Sequence, residues 1–224
     1  MGEAAGRCGA YAGRMILRDR EEAGAAAARL VEPLLEGADA LVLGVPRGGV
    51  IVARAVADAL GLDLDVVVVR KLGVPGHEEF GFGAIGEDGV EVLDQATMAA
   101  VGISGEAVAV VSRRERAELE RRVAAYRGGR QALALHGRTV VIVDDGIATG
   151  GTVRAAIAVC RARGAARVIV AAGVAPPDVM TSLAHEADAA VAVLVPEPMD
   201  AVGQWYEDFA QTTDAEVTRA LARN

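Results

Sequence analysis

The sequence predicts an α/β fold in which helices cover both faces of an open, parallel β-sheet. Short apolar runs, rich in valine and isoleucine, alternate along the chain with alanine-rich stretches of helical character. The apolar runs contain almost no polar residues, which is typical of strands that are buried on both faces of a sheet. The alternation and the apolar strands together predict a parallel sheet with covering helices.

The alternation defines five strands and six helices. The predicted strands are residues 40–43, 66–69, 140–143, 168–171 and 190–195. The predicted helices are residues 20–35, 50–60, 105–126, 153–163, 178–185 and 214–222. Gly61 and Gly164 lie where two of these helices should end, and Pro176 and Pro177 precede another.

A glycine-rich segment, residues 73–89, interrupts this alternation. Residues 84–85 and 90–93 are predicted to form a small hairpin or an additional strand. The glycines would give residues 72–89 the hinges that a mobile lid needs. His77 lies in this segment, but a single loop histidine is more often inert than catalytic.

The composition indicates a globular protein with a sizeable core. The chain has 224 residues, of which 52% are hydrophobic. Residues 1–14 are predicted to form a flexible N-terminal tail, and residues 15–224 a single domain. No apolar run approaches the roughly 18 residues of a membrane span, and the N-terminus lacks the apolar core of a secretion signal, so we expect a cytoplasmic protein. Cys8 and Cys160 are too far apart to suggest a disulfide framework or a metal knuckle.

The charge distribution argues against nucleic acid as a partner. The net charge is −8, whereas a phosphate backbone favours basic surfaces. Arginine is concentrated in the helix predicted at 105–126 and just after it. The arginines are Arg113, Arg114, Arg116, Arg121, Arg122, Arg127 and Arg130, and the accompanying glutamates are Glu106, Glu115, Glu118 and Glu120. A solvated face of glutamate–arginine pairs explains this helix better than a nucleic-acid patch.

Three predicted strand ends carry residues that apolar packing does not explain, at the edge where open parallel sheets bind ligands. At the first of them, Asp144 and Asp145 follow the strand 140–143, and a loop rich in glycine and threonine leads into a helix. Glycines allow close approach of a ligand, and the N–H groups of a helix N-terminus suit a phosphate. A sugar phosphate would suit both the carboxylates and the phosphate-binding loop, because its hydroxyls would donate to the carboxylates. A divalent cation would offset the repulsion between the two carboxylates.

Other phosphate-binding motifs do not match. The loop of residues 146–152 has no lysine where the motif G-x-x-x-x-G-K-[ST] requires one. Residues 44–49 do not form G-x-G-x-x-G, so the fingerprint of a dinucleotide-binding fold is missing there. The remaining alternative is a loop whose aspartates only cap turns, which would explain a lone Asp-Asp pair but not the whole string.

The string of residues 140–152 resembles the motif by which type I phosphoribosyltransferases bind 5-phosphoribosyl 1-diphosphate (PRPP). It has four apolar residues, two acids and then a Gly/Thr-rich loop, and it matches the motif at every position. The resemblance continues in order from about residue 18 onward and extends to a group of uncharacterised family members. It implies a Rossmann-like parallel-sheet core with helices on both faces and a small hood, formed mainly by residues 196–224.

The resemblance also implies a role for each strand end. Asp144 and Asp145 would hold the ribose and Mg²⁺. The 5′-phosphate would be bound by Gly146, Ile147, Ala148, Thr149, Gly150, Gly151 and Thr152. The pyrophosphate would be bound by Arg47, Gly48 and Gly49, in a loop that often has an unusual peptide bond in the family; the alternative is a plain strand-to-helix turn. Arg70 and Lys71, after the strand predicted at 66–69, would stabilise the leaving pyrophosphate.

The hood would bind the acceptor of the phosphoribosyl group. The candidates are Trp205, Tyr206, Asp208 and Phe209, with Asp208 as a third ligand of Mg²⁺, although the aromatic residues would equally serve as the core of the hood. Enzymes of the family that act on hypoxanthine and guanine have an aspartate where this chain has Ala148. A 6-oxopurine acceptor is therefore in doubt; the loop is more similar to the adenine enzymes, and amine or hydroxyl acceptors stay open.

The resemblance implies an enzyme that transfers the phosphoribosyl group of PRPP to a small-molecule acceptor and releases pyrophosphate. The alternative is a non-catalytic regulator of the same fold that senses PRPP or nucleotides. A regulator that binds RNA or DNA should have a basic face, which this composition does not favour. Members of the family are usually dimers, so we expect a homodimer, with neither nucleic acid nor a membrane as a partner.

Overall fold

The computed structural model describes residues 16–222 of the chain. The predicted N-terminal tail, residues 1–14, and Cys8 lie outside the described residues. The division into that tail and one domain of residues 15–224 stays a prediction.

The strands of the described chain form two sheets. In chain order the strands are β1 (Ala40–Gly44), β2 (Asp63–Val66), β3 (Val69–Val74), β4 (His77–Gly86), β5 (Glu91–Leu93), β6 (Thr139–Gly146), β7 (Arg167–Val174) and β8 (Ala189–Leu194). Strands β2, β1, β6, β7 and β8, in that order, form a five-stranded parallel sheet. Strands β3, β4 and β5 form a separate antiparallel sheet. The parallel sheet confirms the predicted α/β class.

Helices cover both faces of the parallel sheet. In chain order the helices are α1 (Arg20–Leu35), α2 (Gly48–Leu60), α3 (Gln95–Val101), α4 (Gly105–Arg127), α5 (Gly151–Ala162), α6 (Pro177–Glu186) and α7 (Asp214–Leu221). Alternate residues of β6 face opposite sides, with Val141 and Val143 in the core beneath α1 and α2, and Val140 and Ile142 in the core beneath α5. This arrangement confirms that helices lie on both faces.

The six predicted helices agree with the structure to within two residues at each end, because their ends carry recognisable local signals. The side chain of Ser104 accepts a hydrogen bond from the N–H of Ala107 before α4, and Thr213 forms a capping box with Glu216 before α7. Gly61 ends α2 with a φ of 63°. The short helix α3 was not predicted. Within residues 16–222 no single helix is long and apolar enough to span a membrane, although the bent pair α3 and α4 meets the requirement by length and composition only.

The prediction of one strand at residues 66–69 is wrong, because its four valines connect two sheets. Strand β2 ends at Val66, and β3 begins at Val69 in the antiparallel sheet. All four valines are buried, as predicted for this apolar run, but they do not form one strand. Arg70 and Lys71 consequently lie inside β3, and they do not follow a strand of the parallel sheet.

Residues 72–89 form regular structure, since the segment contains the end of β3 and all of β4. Its role as a lid stays a prediction. The hairpin alternative is the one observed. A Cβ atom at Gly73 would lie 2.5 Å from the carbonyl oxygen of Glu78, and a Cβ atom at Gly86 would lie 2.5 Å from Cγ1 of Val159. These glycines allow neighbouring elements to approach closely, which explains their presence without hinges.

A buried ion cluster connects the two sheets. Arg127, the last residue of α4, is only 6% exposed and donates to Oδ1 of Asp65 at 2.7 Å and to the carboxylate of Glu87. Asp65 lies in β2, and Glu87 directly follows β4. The prediction that the arginines of this region lie on a solvated face is therefore wrong for Arg127, which is held in the interior by two carboxylates.

Candidate active site

A cleft of about 470 Å³ lies at the carboxyl ends of β1 and β6. One wall contains Pro46, which follows β1, and Thr149, Gly151 and Thr152 from the junction of β6 and α5. The charged residues of the opposite wall come from β3, β4 and α4: Arg70, Lys71, Glu78, Arg114, Glu115 and Arg122. The cleft thus brings together residues from the three segments that the sequence singled out.

Asp144 and Asp145 lie inside β6, directly before its last residue, because this strand continues past its predicted end at residue 143. The backbone N–H of Asp145 donates to Oδ1 of Asp144 at 2.9 Å. Burial of its carboxyl group and the adjacent charge of Asp145 raise the pKa of Asp144 well above its ordinary value. Asp144 therefore retains its proton more readily than a free aspartate, and the two carboxyl groups are not equivalent in charge.

Arg20 offsets the charge of the second carboxylate. Its Nε donates to Oδ2 of Asp145 at 2.7 Å, and both side chains are largely buried. Arg20 is the first residue of α1 and lies 125 positions before Asp145. No sequence signal indicates this contact, because an arginine beside Glu21 and Glu22 at a helix start is an ordinary surface pattern.

The loop after the carboxylates has the form of an anion site. Gly146 ends β6, Gly150 has a φ of 78°, and α5 begins at Gly151. Nη1 of Arg154 donates to the carbonyl oxygen of Thr149 at 2.7 Å, which orients the loop. The first N–H groups of α5 have no partner within the helix, so they and the helix dipole are directed at the space above the loop. Ala148, Thr149 and Thr152 are exposed there, whereas the side chain of Ile147 is buried.

The loop after β1 lies directly against the carboxylates. The peptide bond between Pro46 and Arg47 is cis. A Cβ atom at Gly48 would overlap the carboxylate of Asp145, and a Cβ atom at Gly49 would lie 2.8 Å from Cα of Asp144. The guanidinium of Arg47 is half-exposed and lies 3.8 Å from Asp214 of α7. The glycine pair therefore allows this loop and the carboxylates to form one continuous surface.

Replacing Gly49 by alanine should destabilise the protein by about 1–3 kcal/mol, because the added methyl group would overpack a site formed by the backbone of β6. That Cβ would also lie 2.8 Å from the carbonyl oxygen of Val143, which cannot move without shifting the strand. Urea unfolding measures the effect. Gly105→Ala is the matched control, because a Cβ atom there would meet nothing within 4 Å. Equal stabilities of the two variants would show that the loop adapts freely.

Arg70 and Lys71 of β3 both line the cleft. Nε of Arg70 donates to Oε2 of Glu115 at 2.8 Å, and the Glu115 side chain is only 8% exposed. The Nζ of Lys71 lies beside the anion loop, 3.6 Å from the place of a Cβ atom on Gly151. Arg114 and Arg122 from α4 also line the cleft. The sequence predicts a solvated face for both arginines and gives no signal for their places in the cleft.

The predicted acceptor residues lie in the segment 205–210, which we call the hood segment. Tyr206 is buried, its ring lies 4.9 Å from the ring of Phe209, and its hydroxyl donates to the carbonyl oxygen of Asp145 at 2.6 Å. Burial raises the pKa of Tyr206 above its ordinary value, so the hydroxyl stays a donor. Tyr206 and Phe209 thus pack as the core of the hood, which is the alternative to binding the acceptor. Tyr206 in particular is not exposed for stacking on an acceptor. Trp205 is half-buried and Asp208 is exposed.

Residues 16–194 match the family model described as "Phosphoribosyl transferase domain". The chain belongs to this phosphoribosyl transferase family. The membership and the parallel sheet with helices on both faces identify the fold as that of the type I phosphoribosyltransferases.

Relatives of this phosphoribosyltransferase domain include longer proteins. It is 47% identical over 208 residues to "Putative phosphoribosyl transferase Rv0571c" of Mycobacterium tuberculosis, a match that covers 93% of this chain and 47% of the relative. The chain therefore spans about half the length of the curated relatives that it matches. The crystal structure of TT1426 from Thermus thermophilus is 43% identical, with a TM-score of 0.86, and the match covers 92% of this chain and 98% of that one.

The predicted three-carboxylate metal site of the phosphoribosyltransferase domain is not formed. Within residues 16–222, no group of three or more histidine, cysteine, aspartate or glutamate side chains is arranged to hold a metal ion. Asp208 is therefore not brought together with Asp144 and Asp145, and its Oδ1 instead accepts a hydrogen bond from the N–H of Ala210 at 3.0 Å. Asp144 and Asp145 stay adjacent to each other as a pair of oxygen donors.

Proposed function

We propose that this domain transfers the 5-phosphoribosyl group of PRPP to a nitrogen or oxygen nucleophile and releases pyrophosphate. The observation that carries the proposal is the junction of β6 and α5, where Asp144 and Asp145 stand directly before the backbone loop of residues 146–152. A ribose 5-phosphate suits such a junction, because its hydroxyls donate to carboxylates and its phosphate accepts from backbone N–H groups. Family membership supports the same chemistry.

In the proposed reaction, the acceptor forms a bond to C1 of the ribose while the bond from C1 to the diphosphate oxygen breaks. Positive charge develops on the ribose, the pyrophosphate leaves with the bonding electron pair, and the proton of the acceptor passes to solvent or to the departing pyrophosphate. Asp144 and Asp145 would hold the ribose hydroxyls and favour the cationic sugar. Arg47, with the backbone of Gly48 and Gly49, would bind the leaving pyrophosphate.

On the opposite wall of the cleft, Lys71 would supply a further positive charge to the pyrophosphate. Arg70 would act together with Glu115, whose carboxylate already neutralises part of its charge. Losing one well-placed charged contact in such a site costs on the order of 10²–10³ in rate. Both cations are therefore assigned to stabilising the leaving pyrophosphate.

Magnesium is the cofactor that we propose for the reaction. Mg²⁺ in phosphate-transferring sites is generally held by one or two carboxylates together with phosphate oxygens and water. Asp144 and Asp145 fit this donor set, with the substrate diphosphate supplying the remaining oxygens. When bound, the ion would offset the negative charge on the departing pyrophosphate.

The acceptor would enter beneath the hood segment, where we keep Trp205 and Asp208 as candidate contacts. Ala148 is exposed at the anion loop, in the place of the aspartate of the 6-oxopurine enzymes, which argues against hypoxanthine or guanine. Nucleobases of other kinds, amines and hydroxyl compounds are the acceptor classes that we propose to test. A cytoplasmic homodimer is part of the same proposal.

The deciding experiment measures pyrophosphate release from PRPP with Mg²⁺, across purine and pyrimidine bases and several amines and alcohols. Release that depends on one acceptor would establish the transferase and name its substrate class. The control is Lys71→Ala, which should reduce the rate by about 10²–10³ without unfolding the protein. If none of these acceptors gives turnover while calorimetry shows tight binding of PRPP, the alternative of a sensing regulator is favoured instead.

A further inference from the structure

A closed set of contacts connects the second carboxylate of the site to the hood segment. Nε of Arg20 donates to Oδ2 of Asp145 at 2.7 Å, and its Nη1 donates to the carbonyl oxygen of Ala210 at 2.8 Å. The same guanidinium lies 4.1 Å from the ring centroid of Phe209. Tyr206 completes the set, because its hydroxyl donates to the carbonyl oxygen of Asp145. Asp145 is thus held by its side chain and its backbone, and both contacts lead to the hood segment.

The backbone that carries Arg20 is itself paired with the hood segment. The N–H of Leu17 donates to the carbonyl oxygen of Trp205 at 2.9 Å, and the N–H of Glu207 donates back to Leu17 at 2.8 Å. The N–H of Asp208 donates to the carbonyl oxygen of Arg18 at 2.8 Å. The hood is therefore built from both ends of the described chain, and the residues directly before α1 are hydrogen-bonded to the hood segment.

The guanidinium of Arg20 performs two separable tasks. Its positive charge neutralises Asp145, in a pair whose side chains are only 12% and 15% exposed, so screening by solvent is weak. The planar guanidinium, with its several N–H groups in a fixed fork-like arrangement, donates hydrogen bonds to Asp145 and Ala210 at the same time and stacks on Phe209. A lysine could supply the charge but not this fork, because an ammonium is a compact point charge on a flexible stem.

We propose that Arg20 is a positioning residue that couples binding of the phosphoribosyl donor to closure of the hood segment. It orients Asp145 for the ribose hydroxyls and anchors the hood segment through Phe209 and Ala210, so either event stabilises the other. The inference rests on the proposed function, since the donor is PRPP. It adds a residue from α1 to a site otherwise built from the end of β6, the loops after β1 and β6, and the charged residues of β3 and α4.

Two measurements on the intact protein, neither of which requires an acceptor, test the coupling. Calorimetry gives the affinity for PRPP with Mg²⁺, and hydrogen exchange gives the opening of the hood segment at the amides of Glu207 and Asp208, with and without PRPP. In the wild type, PRPP should slow the exchange of these amides. Arg20→Ala should bind PRPP roughly 10- to 100-fold more weakly, because a hydrogen bond to a charged group is lost. In that variant PRPP should no longer slow the exchange.

Arg20→Lys separates positioning from a general loss of structure. We expect this variant to recover most of the affinity for PRPP, while the exchange of Glu207 and Asp208 stays independent of PRPP. The matched control is Arg18→Ala, which removes a 59% exposed side chain but keeps the backbone pairing with Asp208. It should behave as the wild type in both measurements.

The outcomes distinguish this inference from the proposed function. If the folded wild type does not bind PRPP, the proposed function fails and the coupling fails with it. If the wild type binds PRPP but Arg20→Ala binds it equally well or more tightly, only the role of Arg20 is wrong. An Arg20→Lys variant whose hood segment responds to PRPP as the wild type does would also overturn the coupling.

Discussion

Replacing Asp144 by asparagine is expected to lower kcat/KM for PRPP by about 10²–10³, because the variant loses a negative charge where positive charge develops on the ribose. Asparagine keeps an oxygen that can accept the N–H of Asp145, so the end of β6 should retain its conformation. Asp145→Asn should have an effect in the same direction and also destabilise the site, since it leaves Arg20 without its carboxylate. Steady-state kinetics and calorimetry with PRPP and Mg²⁺ measure both variants.

The same Asp144→Asn variant should be more stable than the wild type at neutral pH. Burial and the charge of Asp145 raise the pKa of Asp144 in the folded protein above its value in the unfolded chain. The folded state then binds more protons than the unfolded state, so this contribution to stability is fully present below about pH 3.9 and is lost as the pH rises through the raised pKa. Asparagine cannot ionise and does not lose this stability. Urea unfolding should therefore show a difference that grows with increasing pH.

Asp63→Asn is the matched control for both effects. Asp63 begins β2 at the opposite edge of the sheet, and its side chain is 65% exposed. Removing its charge should change neither the affinity for PRPP nor the stability against urea. If Asp144→Asn and Asp145→Asn bind PRPP as tightly as this control, the assignment of the ribose site is wrong.

The sequence predicted the parts of the site that are contiguous in the chain. Asp144, Asp145 and the loop of residues 146–152 are neighbours in sequence, so one strand, one turn and one helix start determine their arrangement. Arg20 could not be predicted in this way, because its contact with Asp145 depends on how α1 packs against the sheet. The bond from Tyr206 to Asp145 likewise spans 61 positions and depends on the path of the hood segment.

The errors in the predicted secondary structure have a similar origin. Burial alone does not distinguish a continuing strand from a chain that passes between two sheets, which is why Val66 and Val69 were assigned to one strand. Glycine has a low preference for strands, so the sequence around Gly73 and Gly86 indicated a loop. The close contacts that require these glycines arise only after β3 packs beside β4 and β4 packs on α5. The helices were predicted better because their caps and periodicity are local.

Arg127→Leu is expected to lower the free energy of unfolding by about 3–5 kcal/mol, because it leaves Asp65 and Glu87 buried without their partner. A typical domain is stable by about 5–15 kcal/mol, so this change alone would remove a large part of the total. Urea unfolding gives the value. Arg121→Leu is the matched control on the same helix, since the Arg121 side chain is 61% exposed and pairs at the surface with Glu118. It should leave stability nearly unchanged.

A further variant separates the loss of a stabilising contact from the burial of unpaired charge. If unpaired charge is the cause, combining Arg127→Leu with Asp65→Asn and Glu87→Gln should restore much of the lost stability, because the buried carboxylates are then gone. The amide introduced by Asp65→Asn keeps one oxygen to accept from the N–H of Val66 or of Leu133, both of which bond to Asp65 in the wild type. If the combined variant is no more stable than Arg127→Leu, unpaired charge is not the cause, and the loss of the bonds that Arg127 forms between the two sheets is the larger effect.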